Sequence, residues 1–466
     1  IETSGLANNI DAVLEVMNFI YDHIMYAELN TKSDYCQVCG YDGEIQIIDK
    51  DGELIWECPN CHNRNKDKMN VARRTCGYIG TNFWYGAILG SQGQGGNRER
   101  LLRELDYLKA LGINNLRVLV GADGKDGIPT KAEPALQVEA GVYNDTIFDG
   151  LDFFLSELDK RDMYAVLFLN NSWEWSGGYS QYLYWAGHGE VPMPNVAGWD
   201  AFSNYVAQYA KSEKAHHLFR DHITHVVNRV NRYTGKKYSE DPAIMSWQIG
   251  NEPRPFGEDN KKSFAAWIAD CAALIKSMDS NHLVSIGSEG MAGCEGDLSL
   301  WTSIHADANV DYTTIHIWPN NWGWIDKKDI PGTIGQAIEN TCSYIDMHVQ
   351  EAFKINKPLV LEEFGLPRDS VKFTSNTSTV QRDRYYRAVF DIVEKHAAEK
   401  GVFQGCNFWA WGGFAEPQHL FWQRGDDYMG DPGQEEQGLN SVYATDSTIN
   451  MIKEAVSDIN QIIQKQ

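Results

Sequence analysis

AIMSWQIGNEP, residues 243–253, decides the fold: an apolar run of strand character stops at Gly250 and delivers Asn251 and Glu252 immediately after it. KPLVLEEFG, residues 357–365, has the same build and delivers Glu363. Working outward from these two, similar apolar runs stand at 78–86, 114–120, 163–170, 282–288, 312–318 and 405–413, so eight strands are predicted. Between them lie NRERLLRELDYLKALG (97–112), SEKAHHLFRDHITHVVNRVNRYTG (212–235) and DRYYRAVFDIVEKHAAEKG (383–401), whose apolar positions recur at helical spacing. Apolar strands alternating with amphipathic helices imply an α/β protein whose parallel strands are buried on both faces. Eight such units close as a (β/α)8 TIM barrel.

In that architecture reactive side chains gather at the C-terminal ends of the strands. Here those ends carry Arg117, Asn251, Glu252, His316, Trp318, Glu363 and Trp409. Glu252 ends the fourth run and Glu363 the seventh, 111 residues apart in sequence yet able to face each other across one cavity. Two facing carboxyls suit glycosidic bond cleavage, one staying protonated for the leaving oxygen and the other ionised at the anomeric carbon. Strand alternation turns Trp409 rather than Trp411 toward the lumen, and turns Glu362 away from the side Glu363 occupies.

The composition excludes other classes. A formal net charge of −23, from 64 acidic and 41 basic side chains, repels phosphate backbones and argues against a nucleic-acid partner. There is no run of about 18 apolar residues to span a membrane. Fifteen Trp and 22 Tyr are many, and NNSWEWSGGYSQYLYW (170–185) and WPNNWGW (318–324) put them in loop-like stretches. Aromatics in loops suit a ligand with apolar faces and hydroxyl edges. The chain begins at Ile1 with no initiator Met or signal region, which reads as a processed end, a fragment or a junction.

The first part of the chain has a different character. A helix-like stretch at 11–30 precedes Cys36-x2-Cys39, then 18 residues, then Cys58-x2-Cys61, the spacing of a zinc ribbon in which four thiolates close a tetrahedron. YCQVCGYDGE (35–44), WECPNCHNRN (56–65) and RRTCGYIGTNFW (73–84) together resemble the C-terminal end of anaerobic ribonucleoside-triphosphate reductases. That resemblance, over residues 1–83, implies zinc on Cys36, Cys39, Cys58 and Cys61 and a radical on Gly77. The chain departs from the pattern after Trp84, and the large upstream catalytic barrel of that family is not part of this sequence, so Gly77 reads as a strand or turn glycine. Two domains are expected, a helix plus zinc-ribbon-like segment at 1–77, joined by recombination or fusion of two genes, and a catalytic barrel at 78–466.

TNFWYGAIL (81–89), LRVLVGADG (116–124), LNNSWEWSGG (169–178), WQIGNEPR (247–254), IHIWPNNWGW (315–324), LEEFG (361–365) and NFWAWGG (407–413) resemble glycoside hydrolase family 5, in its endo-β-1,4-mannanase branch. The resemblance covers residues 78–466. It implies a retaining mechanism with Glu252 as acid/base and Glu363 as nucleophile. Asn251 then meets the substrate 2-hydroxyl, Arg117 keeps Glu363 ionised, His316 orients the acid, and Trp409 forms the sugar platform. Trp173 and Trp175, which follow the third strand, either line outer sugar sites or serve packing. Trp318 departs from the family, many of whose members carry a Tyr there in contact with the nucleophile. LNNSWEW lacks the His of the cellulase branch, which favours mannan.

The resulting expectation is an endo-acting hydrolase of internal β-1,4-mannosidic bonds in mannan, glucomannan or galactomannan, secreted because such a polymer cannot cross a membrane. Catalysis needs no cofactor and any zinc is structural. The alternatives are a β-1,4-glucanase of the same family and a non-catalytic carbohydrate-binding barrel.

Overall fold

The computed structural model describes residues 34–43, 45–50, 53–65, 68–70, 77–371, 374 and 376–464. The chain divides into two compact units, residues 1–75 and 76–466. The helix expected at 11–30 lies outside the described residues.

In the first unit, strand Asp34–Cys36 pairs antiparallel with Tyr41–Gly43 on one side and Met69–Asn70 on the other, and Gln46–Lys50 forms a hairpin with Glu53–Glu57. Each Cys-x2-Cys pair sits on a tight knuckle. Gly40 N donates to Cys36 O at 2.9 Å and His62 N donates to Cys58 O at 2.8 Å, with φ +71° at Gly40 and +58° at His62. Among its described residues the buried apolar cluster is Cys36, Ile45, Cys58 and Met69.

The second unit is a parallel barrel. Its strands are β1 (Ile79–Asn82), β2 (Asn115–Leu119), β3 (Tyr164–Phe168), β4 (Ile244–Gln248), β5 (Leu283–Ser285), β6 (Thr313–Ile317), β7 (Leu359–Phe364) and β8 (Phe403–Phe408). They run in the order β5-β4-β3-β2-β1-β8-β7-β6, every ladder parallel. Separate bonds close the β5/β6 seam. Asp311 N donates to Val284 O at 2.8 Å, Ser288 N to the Thr314 hydroxyl at 2.7 Å, and His316 N to Glu289 O at 3.3 Å.

Each strand is followed by a helix of the outer ring: α1 (Arg98–Ala110), α2 (Asp145–Asp159), α3 (Glu213–Val227), α4 (Lys261–Met278), α5 (Leu298–His305), α6 (Ile330–Lys354), α7 (Val380–Glu399) and α8 (Thr448–Gln464). Local chemistry starts several of them. The Asn97 side chain accepts from Arg100 N at α1, Asn144 from Thr146 N at α2, and Asp329 from Gly332 N at α6, satisfying amides that the first helical turn leaves free. Strands β2, β6 and β7 are buried at every residue, as the two-sided cover of lumen and helices requires.

Some elements differ from the sequence pattern. The run at 405–413 is two elements: β8 ends at Phe408, the Trp409–Ala410 peptide is cis, and Trp411–Gly413 pairs separately with Val442–Tyr443. The pattern at 212–235 is helical only to Val227, after which Asn231 closes a turn, accepting from Gly235 N at 2.9 Å and donating to Lys236 O at 2.8 Å. The aromatic stretch at 170–185 is not all loop, since Gly178–Ala186 is a helix whose Tyr179 and Tyr182 belong to the core.

Gly77 has φ +91°, and a Cβ there would stand 2.8 Å from the Ala397 Cβ. Its amide donates to Gln404 O. This is a glycine required by a turn and a close approach, as the strand-or-turn reading expects.

Candidate active site

The site is built from the ends of β1, β2, β4, β6, β7 and β8. Arg117, on β2, is fully buried and organises it. Its Nε donates to Gln248 Oε1 at 2.7 Å, Nη1 to Asn82 Oδ1 at 3.1 Å and also to Glu363 Oε1, and Nη2 to Asn251 Oδ1 at 2.8 Å. Its guanidinium lies 4.5 Å above the Phe168 ring. A buried cation with four of its five N–H donors directed in this way is rigid, and it sets the orientation of Glu363 and Asn251 together. Asn251 Nδ2 donates to Asn171 Oδ1 at 3.2 Å, so its amide is held from both ends.

Glu252 follows β4 with φ +50°, an uncommon conformation for a residue with a side chain. Its amide donates to Gly287 O at 2.9 Å. Gly287 has φ +81°, and a Cβ there would stand 1.9 Å from Gly250 O, so only glycine lets β5 approach closely enough to make this bond. The Glu252 carboxyl accepts from Trp173 Nε1 at 2.5 Å on one oxygen and meets His316 Nδ1 at 2.9 Å on the other. The same His316 nitrogen lies 3.5 Å from Glu363 Oε2. One ligand atom each from Glu252, His316 and Glu363 lies within 4.8 Å of the others.

Glu362 does not turn away from this network. Ile315 pairs with Leu361 and His316 with Glu363, which makes Glu362 the extra residue of a bulge. A bulge re-aims a side chain and breaks the strict alternation of a strand. The Glu362 carboxylate accepts from Gln248 Nε2 at 2.6 Å and Tyr312 OH at 3.2 Å, and lies 3.9 Å from His316 Nε2. His316 is thus surrounded by three carboxyls. Burial alone would lower its pKa, but Glu363, Glu252 and Glu362 raise it to about 9. Burial would likewise raise Glu252, yet the His316 bond and charge, Arg254 and Trp173 bring it below its ordinary value. At Glu363 burial, aided by the charge of Glu252, outweighs His316 and Arg117 and raises the carboxyl, so the Arg117 ion pair orients Glu363 but does not, as the sequence led us to expect, hold it below its ordinary value. The cluster therefore holds a shared proton at neutral pH, centred on His316 and one hydrogen bond from Glu252.

Of these groups Asn251, Glu252 and Glu363 line a cavity of about 460 Å³. Six tryptophans line it: Trp173, Trp175, Trp199, Trp318, Trp322 and Trp409. Trp409 meets Trp318 at 6.0 Å and Trp175 at 6.4 Å, both edge-on. Trp411 lies behind, its indole N–H donating to Glu104 at 2.6 Å. Trp318 supplies an apolar wall packed on Gly365. Among the described residues, Trp409 Nε1, Glu174 Oε2, Gln434 Oε1 and Glu435 Oε2 are buried without a protein hydrogen-bond partner, and all four residues line the cavity. Burial raises Glu174 to about 6.

Sequence reasoning singled out the strand-end residues that meet here, and missed several of their neighbours. Arg254, half-buried, and Glu289, buried, form an ion pair beside Glu252, with Arg254 Nε donating at 2.5 Å. Arg254 lies two residues after Glu252 in the WQIGNEPR run, a signal that was available. Gln434 and Glu435 come from the segment after Trp411–Gly413. Asp431 anchors that segment by accepting from Gly438 N and Asn440 N, both at 2.8 Å, and no strand pattern marks it.

In the first unit, Cys36 and Cys61 sulfurs lie 3.6 Å apart, as do those of Cys39 and Cys58. All four lie within 4.8 Å of one another. These distances exclude disulfides and agree with the roughly 3.8 Å between thiolates on a tetrahedral ion with metal–sulfur bonds of about 2.3 Å.

The family model described as GH family 5 beta-mannosidase-like matches residues 62–464, and that of anaerobic ribonucleoside-triphosphate reductase matches residues 1–87. The chain is 31% identical over 286 residues to mannan endo-1,4-beta-mannosidase 4 of Solanum lycopersicum, covering 59% of this chain and 66% of that one. It is 32% identical over 315 residues to mannan endo-1,4-beta-mannosidase 4 of Oryza sativa subsp. japonica, covering 64% and 62%. It thus spans 62–66% of the length of these plant relatives. A solved glycoside hydrolase family 5 mannosidase from Rhizomucor miehei, in complex with mannosyl-fructose, matches with a TM-score of 0.77 and 36% identity over 83% of this chain and 93% of that one.

Proposed function

The chain belongs to glycoside hydrolase family 5, in its β-mannosidase-like group, and from that premise we propose that it hydrolyses internal β-1,4-mannosidic bonds of mannan, glucomannan or galactomannan with retention of configuration. The observation that carries this reading is the approach of Glu252, His316 and Glu363 to within 4.8 Å. Carboxyls this close suit attack by one of them on the sugar, whereas an inverting pair stands roughly 6.5–9.5 Å apart to admit a water.

Glu363 attacks the anomeric carbon as the bond to the leaving oxygen breaks, and Glu252 gives that oxygen its proton. The product is a glycosyl ester on Glu363. Glu252, now ionised, takes a proton from water as the water oxygen attacks the anomeric carbon and Glu363 departs. His316, between the two, supplies the proton that Glu252 passes to the leaving oxygen, takes it back from Glu252 after the second step, and stabilises whichever carboxylate is charged. Asn251 keeps one N–H free of Asn171 for the 2-hydroxyl. Trp409 carries the sugar face, with its own N–H, Glu174, Gln434 and Glu435 ready for hydroxyls.

Cys36, Cys39, Cys58 and Cys61 hold a structural zinc, which takes no part in hydrolysis. The polymeric substrate supports action outside the cell, and among the described residues no helix is long and apolar enough to cross a membrane. The test is sugar release from mannan and from carboxymethylcellulose by the full chain and its Glu363→Gln variant. Release from mannan that the substitution abolishes is the expected result. Activity on carboxymethylcellulose alone, or undiminished turnover by the variant, would overturn the assignment.

A further inference from the structure

Of the three carboxyls around His316, Glu362 alone has no part in the displacement. It is buried, and its carboxylate accepts from Gln248 Nε2 at 2.6 Å and from Tyr312 OH at 3.2 Å. Gln248 in turn donates to the Ser285 hydroxyl at 3.0 Å and accepts from Arg117 Nε at 2.7 Å. The Glu362 carbonyl accepts from Asn82 Nδ2 at 2.8 Å. Glu362 is therefore fixed in the lumen from β1, from β4 and from the start of β6.

His316 spends only one ring nitrogen on hydrogen bonds. Nδ1 meets Glu252 Oε1 at 2.9 Å, whereas Nε2 is buried and has no hydrogen-bond partner among the described residues. Nε2 stands 3.9 Å from Glu362 Oε2, too far for a hydrogen bond and near enough for charge to act. A neutral imidazole carries one N–H and one lone pair, and what each nitrogen faces decides which it holds. A lone pair on Nε2 would be turned toward a buried carboxylate, which repels it, while an N–H there is attracted. Nδ1 is then the position at which the ring gains or loses its proton, and Nδ1 is the nitrogen in contact with the acid.

We infer that Glu362 is a positioning residue for the catalytic proton: it keeps a hydrogen on His316 Nε2, so that the proton the ring gives up leaves from Nδ1, to Glu252. This deepens the mannosidase reading given above and rests on it. The transfer balances within the pair. The Nδ1–H bond of the imidazolium breaks, an O–H bond forms on Glu252, and a neutral ring with Nε2–H remains; Glu252 then gives the leaving oxygen its proton. With the opposite tautomer the neutral ring would keep its hydrogen on Nδ1, donate it to an ionised Glu252 and leave the acid without a proton. The other charged and titratable groups around the ring stay in place when Glu362 is changed. Glu252 and Glu363 approach Nδ1, Arg117 is bonded to Glu363, the Glu289–Arg254 pair acts through charge, and Tyr312 is bonded to Glu362.

The experiment reads ¹⁵N spectra of the histidine-labelled full chain, with His316→Asn identifying the His316 signals, together with pH profiles of kcat/KM on mannotriose and on 4-nitrophenyl β-mannoside. In the wild-type chain Nε2 is expected to stay protonated throughout the titration while Nδ1 titrates. Glu362→Gln, which keeps the shape and removes the charge, is expected to bring the alkaline limb on mannotriose down by about one pH unit or more, the scale of a neighbouring charge, and to admit the Nδ1–H tautomer. The limb should move less on the aryl mannoside, whose phenolate leaves without a proton, and Glu362→Asp should restore part of the shift. A lower rate with an unmoved alkaline limb would make Glu362 a structural prop, and a wild-type ring that gives up its Nε2 proton would place the hydrogen on the other nitrogen. Either overturns the inference and leaves the mannosidase reading standing, and the wild-type spectrum decides whether or not Glu362→Gln folds. A wild-type chain inactive on both mannosides overturns the mannosidase reading and the inference with it.

Discussion

Glu252 and Glu363 differ in what surrounds them, and that difference is testable one residue at a time. Glu252→Gln should lower turnover of mannotriose by about 10²–10⁴-fold, the usual share of general acid–base catalysis. The loss in kcat/KM, which reports only the step that forms the glycosyl ester, should be smaller on an aryl mannoside, because a phenolate leaves without needing a proton; equal loss of kcat/KM on both would remove Glu252 from the acid role. His316 makes a separate prediction about pH. Its proton is bound more tightly in the folded chain, with the pKa raised from 6.5 to about 9. The stability it contributes is therefore complete below pH 6.5 and lost as pH rises through 9. The melting temperature should fall across that interval, and His316→Asn should flatten the fall.

At the scale of elements, the approach of β5 to the end of β4 holds Glu252 in place. Gly287→Ala would put a methyl 1.9 Å from Gly250 O at φ +81°. It should destabilise the chain by at least about 1–3 kcal/mol and lower activity with it. Gly323→Ala, at φ +69° with nothing within 4 Å of its Cβ, isolates the strain alone. Denaturant titration of both variants checks this; equal midpoints would mean that the steric argument at Gly287 is wrong. The same scale explains why Glu362 was misread. Alternation holds only within an unbroken ladder, and a bulge between β6 and β7 turns Glu362 toward Gln248 and Tyr312.

For the whole molecule, every group assigned to hydrolysis lies between Asn82 and Glu435, in the second unit. Cys58→Ser should therefore abolish zinc binding, read by metal analysis of the purified chain, and leave mannan hydrolysis unchanged. Loss of hydrolysis without loss of folded structure would mean that the first unit contributes to the reaction. The two family matches overlap at residues 62–87, a stretch that contains β1.

By itself the sequence determined the eight strands, the strand ends that carry Arg117, Asn251, Glu252, His316, Trp318, Glu363 and Trp409, and the four-cysteine spacing. These are local matters, because apolar periodicity and short spacings are properties of neighbouring residues. Only the tertiary structure decided what those ends meet: the Arg117 bonds to Glu363 and Asn251, the Glu362 bulge, the Arg254–Glu289 pair and the Gln434–Glu435 segment. Such contacts join residues tens to hundreds of positions apart, and closure of the barrel, not any local propensity, brings them within bonding distance.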